Sequence, residues 1–217
     1  NDPIGQLQSQ TGKKLHSVTP EQLASGQVDF KQAQITTQLL AEQKQKNGGQ
    51  GSLIQWNDTE RKAIVIQFVN GSVKKQETIL NGLTKMAGNN KEAQLEYFKL
   101  IDKDSPLDYV GIAKLNQMGI RLLNTDIQVS SVMLEGKHLI GMGEDKLIAS
   151  KQALDLAIAP EFGNTTTAGQ QAYSTYSSMA YSAYVGLAKR YPAKVQYDKD
   201  GKPLINKELA KKAFDMT

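Results

Sequence analysis

The segment 165–191 constrains the fold more than any other part of the sequence. From Tyr173 to Tyr191, tyrosine, alanine and leucine recur at steps of three and four residues, which predicts one long helix with a tyrosine-lined face. The positions between them are small and include Ser177, Ala183 and Gly186, so a neighbouring element can pack closely against this helix. Pro192 is expected to end it, because the residue before a proline avoids helical geometry.

Signals for further helices occur along most of the chain. Thr19 and Ser105 each precede a proline, and Asp29 and Asn206 each precede an apolar stripe, so all four are expected to cap helix N-termini. Apolar residues at helical spacing predict helices in the segments 58–69, 73–86, 90–101, 107–123, 147–158 and 207–214. The sequence therefore predicts a mainly α fold, a bundle of about six to eight helices with one or two short β-hairpins, with an α+β fold as the alternative.

Three segments carry hairpin signals. Asn70-Gly71 follows a β-branched run, so residues 62–80 form either a hairpin or two helices. Alternating apolar residues on both sides of Gly136 predict a short hairpin between residues 127 and 140. The segment 197–203, rich in Asp and Gly, predicts a turn within a small hairpin.

Residues 1–52 are expected to form a Gln-rich N-terminal arm, and residues 53–217 a single helical domain. Residues 1–55 hold 12 of the 21 glutamines, and the helix that follows Asp29 has only a narrow apolar side. The segment NGGQGS at 47–52 has the composition of a flexible joint. We therefore expect the arm to be mobile in the isolated protein and to become ordered against a partner or a second copy.

The composition argues against several kinds of site. The chain has no cysteine, which rules out disulfides, Cys-based zinc sites, iron–sulfur clusters and cysteine nucleophiles. Its two histidines, His16 and His138, leave little material for a metal site or a catalytic triad. No phosphate-binding loop and no apolar run long enough to span a bilayer is found. Accordingly, the sequence assigns no catalytic residue, no cofactor and no metal.

The tyrosine-lined face and the basic segment that follows it form the candidate partner-binding surface. Tyrosine is enriched at interfaces, and residues 189–212 hold eight basic residues against three acidic ones. The candidate binding residues are Tyr173, Tyr176, Tyr184, Tyr191, Lys189, Arg190 and Lys194. Two alternatives stay open, namely that the rings pack in the core and that the basic residues form a solvated helix face.

The sequence favours a non-enzymatic bacterial protein that binds a partner in a cell-envelope assembly of the secretion, conjugation or pilus type. The lack of cysteine and the start at Asn1 favour an exported protein, periplasmic or extracellular, although the chain itself contains no signal peptide. The expected partner is a protein or a second copy, with an acidic envelope polymer as a further option. Only 3 of the 26 basic residues are arginines, which argues against sequence-specific binding of nucleic acid.

Two other functions remain as alternatives. The first is a lysozyme-like cell-wall glycan hydrolase, which would need a pair of carboxylates facing each other across a cleft. The carboxylates available for this role are Glu60, Glu77, Glu96 and Glu161. The second is a structural protein of a phage or virion, which the same composition fits.

Overall fold

The computed structural model describes residues 2–158 and 167–217. Within these residues the chain forms eleven α-helices and one antiparallel sheet of two short strands. The mainly α fold with a short β-hairpin is therefore confirmed, although the helices outnumber the expected six to eight. The chain divides into two compact units, Asn1–Ala113 and Lys114–Thr217, and each is described by itself.

Three helices of the first unit begin directly after the predicted caps Thr19, Asp29 and Ser105. Thr19 accepts from the backbone N–H of Gln22, whose side chain accepts in return from Thr19, and Asp29 accepts from the N–H of Gln32. The helices are α1 (Pro3–Thr11), α2 (Pro20–Ser25), α3 (Phe30–Lys46), α4 (Asp58–Val69), α5 (Val73–Ala87), α6 (Lys91–Ile101) and α7 (Pro106–Gln117), the last of which runs past the unit boundary.

The core of the first unit is built around α5. Helices α2, α3, α4 and α6 all pack against it, and its residues Ile79, Leu80 and Leu83 are buried. Gly82 lets α2 come close, because a Cβ at this position would lie 2.4 Å from Leu23 Cδ1. The narrow apolar side of the N-terminal helices therefore meets the most apolar face of the unit.

A buried polar network joins two non-helical segments, which contain Val18 and Gln55, to this core. The indole N–H of Trp56 donates to the carbonyl oxygen of Val18, and the Gln55 side chain accepts from the Val18 N–H. The hydroxyl of Tyr97 lies 3.1 Å from Thr37 Oγ1, and its ring centroid lies 5.4 Å from that of Trp56. Because these buried polar groups are partnered, both segments keep a defined path without being helical.

The second unit, over its described residues, contains four further helices and the hairpin. Residues Gln196 and Tyr197 pair with Leu204 and Pro203, which confirms the hairpin expected at 197–203. Short 3₁₀ turns occupy Glu144–Leu147 and Pro192–Lys194. The remaining elements are α8 (Val129–Met142), α9 (Lys151–Ile158), α10 (Thr167–Arg190), β1 (Gln196–Tyr197), β2 (Pro203–Leu204) and α11 (Lys207–Asp215).

Helices α8 and α10 pack backbone against backbone. A Cβ built on Gly136 would lie 1.8 Å from the carbonyl oxygen of Ser182, and one built on Gly186 would lie 2.1 Å from the carbonyl oxygen of Val132. Real atoms do not approach this closely, so only glycine fits at either position. The small residues of α10 therefore do permit the close packing that the sequence predicts.

Helix α11 packs against α10, and a buried tyrosine fixes where it starts. The hydroxyl oxygen of Tyr184 accepts from the backbone N–H of Asn206 at 3.1 Å. The Asn206 side chain in turn accepts from the N–H of Leu209, so Asn206 caps α11 as predicted. Leu209, Ala210 and Ala213 form the buried side of this helix.

The hairpin expected between residues 127 and 140 is wrong, because this segment forms α8. Its buried residues, among them Val129, Val132 and Leu139, satisfy helical spacing as well as the alternation that suggested a strand. Gly136 is a point of helix contact and lies in the helix interior, so a single glycine was misread as a turn.

For residues 62–80 the structure selects two helices over a hairpin. Asn57 and Glu60 form a capping box at the start of α4, and Ser72 caps α5. Asn70 has a φ of -88°, whereas the hairpin turn favoured by Asn-Gly needs a positive φ there.

Helix boundaries differ from the prediction at three other places. Helix α7 stops at Gln117 instead of Leu123, and Gly119 follows with a φ of +64°. Helix α9 starts at Lys151, because residues 144–147 form a 3₁₀ turn. Helix α1 was not predicted, since its sequence is short and polar. The sequence also offers Thr165 or Thr166 as the cap of α10 and Pro160 as the stop of α9, and these three residues lie outside the described part of the chain.

The N-terminal segment 1–52 lies within the first unit, where Leu7, Leu23 and Leu40 are buried. Mobility in solution is a dynamic property, so the expectation of a mobile arm stays a prediction, as does the single domain at 53–217. The packing of α2 and α3 predicts instead that this segment is ordered, and an experiment can distinguish an ordered segment from a mobile one.

Amide hydrogen exchange distinguishes an ordered N-terminal segment from a mobile one. The packing predicts that the amides of residues 33–40 exchange about as slowly as those of α5, because both helices contribute to one core. Gly51 and Ser52, which are exposed and whose amides form no backbone hydrogen bond among the described residues, serve as the fast-exchanging reference. Exchange of residues 33–40 as fast as that reference, in a dilute monomer, would establish the mobile arm instead.

Replacing the contact glycines of the second unit tests the α8–α10 packing. We expect Gly136→Ala and Gly186→Ala each to lower the free energy of unfolding by about 3 kcal/mol, because the new methyl group meets backbone that cannot move aside. Gly141→Ala is the matched control: Gly141 lies in α8, is exposed and has nothing within 4 Å of the place that a Cβ would occupy. It should leave stability unchanged or raise it by up to about 1 kcal/mol in denaturant unfolding. Equal effects at all three positions would contradict the close contact.

Candidate functional site

The structure divides the tyrosines proposed for partner binding. Tyr184 is only 1% exposed and is covered by the start of α11, so it belongs to the core and has no surface to offer a partner. Tyr176 is 41% exposed, whereas Tyr173 and Tyr191 are half-buried. Tyr176 and Tyr191 are 15 residues apart on the sequence, which separates them by about 22 Å along a helix axis. The tyrosines therefore do not form one continuous binding face.

Two of the three basic residues proposed for binding are already engaged within the second unit. Arg190 Nε lies 2.8 Å from Glu135 Oε2, which links α10 to α8. The Lys194 ammonium forms an ion pair with Glu208, which links the 3₁₀ turn that follows α10 to α11. Lys189 is exposed at the end of α10. Arg190 and Lys194 thus stabilise the fold, and a partner would have to compete for their charges.

An apolar groove lies between the loop 118–124 and α11 in the second unit. The space it encloses is about 850 Å³, within the range of sites that bury a ligand or the side chains of a peptide. Met118 and Leu123, which line it, are 70% and 81% exposed. Large apolar side chains at this level of exposure, gathered in one concavity, are characteristic of interaction sites.

Hydrogen bonds hold the loop side of the groove in place. The backbone N–H of Leu122 donates to the carbonyl oxygen of Ile127 at 2.8 Å, and that of Val129 donates to Ile120 at 2.9 Å. The Leu122 side chain is buried, while that of its neighbour Leu123 is exposed to solvent. The exposed apolar residues are therefore carried on an ordered loop, which reduces the entropy lost when a partner binds.

Helix α11 supplies the other wall and brings charge to it. Lys211, Lys212, Glu208 and Asp215 all line the groove. The Lys212 ammonium lies 5.4 Å from the centroid of the Tyr191 ring, and Glu208 pairs with Lys194. Of the residues proposed from sequence, Tyr191 and Lys194 thus adjoin the groove through their contacts with α11.

Glu208, one of the two acids that line the groove, is held in its ionised form. The hydrogen bond from Lys194, together with its positive charge, holds the pKa of Glu208 below its ordinary value. An acid catalyst of glycoside cleavage needs the opposite, a raised pKa that keeps its proton at neutral pH. The groove therefore lacks the electrostatics of a glycosidase site at this carboxylate.

The carboxylates proposed for catalysis have other places in the fold. Glu60 accepts from the backbone N–H of Asn57 in the capping box of α4. Glu96 accepts from Lys44, Ser52 and the backbone N–H of Leu53. Glu77 lies on α5, and Glu161 lies outside the described residues.

A second polar cluster joins α9 to α10. The Ser177 hydroxyl is buried and lies within hydrogen-bonding distance of both Lys151 and Asp155, and these two form an ion pair at 2.9 Å. Lys151 and Asp155 both lie on α9 and both contact Ser177 on α10, so the cluster links the two helices. We interpret this cluster as a structural tie between the two helices.

Two further findings concern metal binding and the spanning of a membrane. Across residues 2–158 and 167–217, no three His, Asp or Glu side chains converge in a way that could hold a metal ion. In the same part of the chain, no helix combines the length and apolarity required to cross a bilayer.

Comparisons with known proteins add no relative. No protein-family model, curated protein or solved structure matches this chain. Function is therefore inferred from the shape and chemistry of the groove.

The groove was not predicted from the sequence because the predicted end of α7 lies beyond the observed one. The apolar spacing through Met118 and Leu122 extends the predicted helix as far as Leu123, which would place its apolar residues on a buried face. Gly119, which adopts a φ of +64°, is the signal that could have ended that helix earlier. With α7 ending at Gln117, the segment 118–124 becomes a loop rich in apolar residues.

The network around Glu96 predicts a pH-dependent contribution to stability. Burial opposes ionisation of Glu96, but the hydrogen bonds from Lys44, Leu53 and Ser52 outweigh it and hold the pKa of this carboxyl below its ordinary value of 4.5. Its contribution is thus complete above pH 4.5 and is lost as the pH falls towards the lower pKa of the folded state. We expect Glu96→Gln to cost about 2 kcal/mol at neutral pH and progressively less below pH 4.5 in denaturant unfolding.

Glu92→Gln provides the control, because Glu92 also pairs with Lys44 but its side chain is 62% exposed. It should cost no more than about 0.5 kcal/mol. A Glu96→Gln effect that stays constant as the solution is acidified would contradict the proposed role of the ionised carboxylate.

Proposed function

We propose that the protein is a non-enzymatic binding protein and that the groove between loop 118–124 and α11 is its contact surface. The observation that supports this most is the exposure of Met118 and Leu123 on a loop fixed by backbone hydrogen bonds. Burying one side chain of this size is worth about 1.5–3 kcal/mol. A partner that covers both therefore gains substantial free energy from a surface that is already ordered.

The anatomy of the groove resembles that of protein interfaces. Its floor is apolar, and charged residues of α11 stand along one wall. Interfaces in general combine an apolar centre with a polar rim. This arrangement suits recognition by contact and requires no reactive side chain.

The setting we propose is the one that the sequence predicts, an exported bacterial protein acting in a cell-envelope assembly of the secretion, conjugation or pilus type. Support for this setting comes from the composition, above all from the lack of cysteine. A structural protein of a phage or virion would use such a groove in the same way. Identification of the partner distinguishes these settings.

Glycan hydrolysis receives no support from the described residues. Glu60 and Glu96 serve as hydrogen-bond acceptors within the first unit, and Glu208 in the groove has a lowered pKa. Binding therefore remains the function that we propose.

Site-specific photo-crosslinking in the cells that produce the protein tests the proposal. We expect p-benzoylphenylalanine at position 118 or 123 to give a covalent adduct of the same mass, because both side chains line the groove. Position 66 is the matched control, since Ile66 is similarly exposed, at 58%, but lies on α4 of the first unit. Adducts at position 66 alone, or at none of the three positions, would contradict the assignment of the groove.

A further inference from the structure

The net charge of the chain is concentrated in the C-terminal segment that supplies one wall of the groove. Residues 189–217 contain eight basic and four acidic residues, and the whole chain has a formal charge of +4. The first 188 residues are therefore balanced, and the excess belongs to the segment that contains α11. A net positive charge beside a groove favours a partner of the opposite sign.

The cations of this segment differ in how far they are already neutralised. Arg190 pairs with Glu135, and Lys194 pairs with Glu208. On the loop wall of the groove, Arg121 pairs with Asp126 at 2.7 Å. Each of these charges has an internal counter-ion and contributes little to attracting a partner.

Lys211 and Lys212 supply the charge that remains for a partner. Both line the groove, and within the described part of the chain neither has a carboxylate at ion-pair distance. Lys212 lies over the Tyr191 ring, a contact that orients the ammonium without cancelling its charge. Glu208 and Asp215 lie on the same wall, but Glu208 is already paired with Lys194. Lys211 and Lys212 are thus two groove cations without an ion-pair partner among the described residues, and apolar side chains lie opposite them.

From this pairing, and resting on the proposed function, we infer that the groove binds an acidic amphipathic helix of a partner protein. The apolar face of that helix packs on Met118, Ile120 and Leu123, and its flanking carboxylates lie against Lys211 and Lys212. This is the helix-in-groove mode of recognition, in which apolar residues at three- and four-residue spacing supply the affinity. The lysines set the choice of partner and its orientation.

Other anionic partners fit the groove less well. A nucleic acid strand needs aromatic or arginine planes for its bases, and the described residues that line the groove include no aromatic ring and one arginine, which is paired. An acidic envelope polymer has no apolar face to cover Leu123, which is 81% exposed. A helix with leucines on one side and glutamates beside them can cover the exposed apolar side chains of the loop and also pair with the lysines of α11.

Fluorescence anisotropy with two designed peptides tests the inference on the full chain. Each labelled peptide has about 18 residues, long enough to form a helix, with leucines at helical spacing. One carries glutamate at the flanking positions and the other carries lysine. We expect the glutamate peptide to bind at least about ten-fold more tightly, and the difference to shrink at high salt.

Matched variants assign the effect to the groove. The double variant Lys211→Glu, Lys212→Glu should reverse the preference between the peptides. Lys199→Glu, Lys202→Glu makes the same charge change on exposed residues of the hairpin turn, outside the groove lining, and should leave the preference intact. Leu123→Asn should weaken binding of the glutamate peptide at least about ten-fold, and circular dichroism confirms that each variant is folded.

Several results would overturn the inference. These are equal binding of the two peptides, equal effects of the two double-charge variants, and no binding of the glutamate peptide. Self-association of the chain that Leu123→Glu abolishes would assign the groove to a second copy. Lysine-dependent binding to vesicles of phosphatidylcholine and phosphatidylserine, without peptide binding, would assign it to a lipid surface. If crosslinks form in cells at positions 118 and 123 while the glutamate peptide does not bind, the binding function stands and the acidic helix is rejected.

Discussion

The second unit depends on the backbone contact between α8 and α10. Because Gly136 and Gly186 have no side chains, each helix meets the carbonyl oxygens of the other directly. The loop 118–128 leads into α8, and α11 packs on α10. The two walls of the groove are therefore attached to the two helices of this contact. We infer that the close approach of these helices fixes the distance between the two walls, so that two glycines shape the proposed binding surface.

Around this contact, the unit uses polar groups to position its apolar surface. Tyr184 is buried, and its hydroxyl fixes the first residue before α11, while the backbone bonds of Leu122 fix the loop. Leu123 then remains exposed because the loop geometry gives it no place in the core. This arrangement is costly for an isolated domain and favourable for one that is covered by a partner. The charges of the segment are likewise divided between structure and surface. Over the described ranges, Lys194 forms an ion pair with a carboxylate, whereas Lys211 and Lys212 form none.

The sequence predicted the features that depend on local interactions. Helix caps such as Thr19, Asp29 and Asn206 involve only neighbouring residues, so their role could be read from the chain and is confirmed. The long helix α10 and the hairpin at 197–203 were predicted for the same reason. Features that depend on residues distant in sequence were not predicted. Gly136 resembles a turn glycine until α10 is placed beside it, and Tyr184 resembles a surface residue until α11 covers it. The groove itself appears only once α7 is known to end at Gln117 and α11 is placed opposite the loop that follows.

The most direct test of this account is a nuclear Overhauser spectrum of the isotope-labelled protein. The backbone contact predicts strong cross peaks between the α-protons of Gly136 and protons of Ser182 and Gly186, because a Cβ on Gly136 would lie only 3.0 Å from the Gly186 nitrogen. The intrahelical cross peaks of α8 and α10 serve as the internal reference. If these are present and the peaks between the two glycines are absent, the helices do not touch at this point and the two walls of the groove do not lie where this account places them.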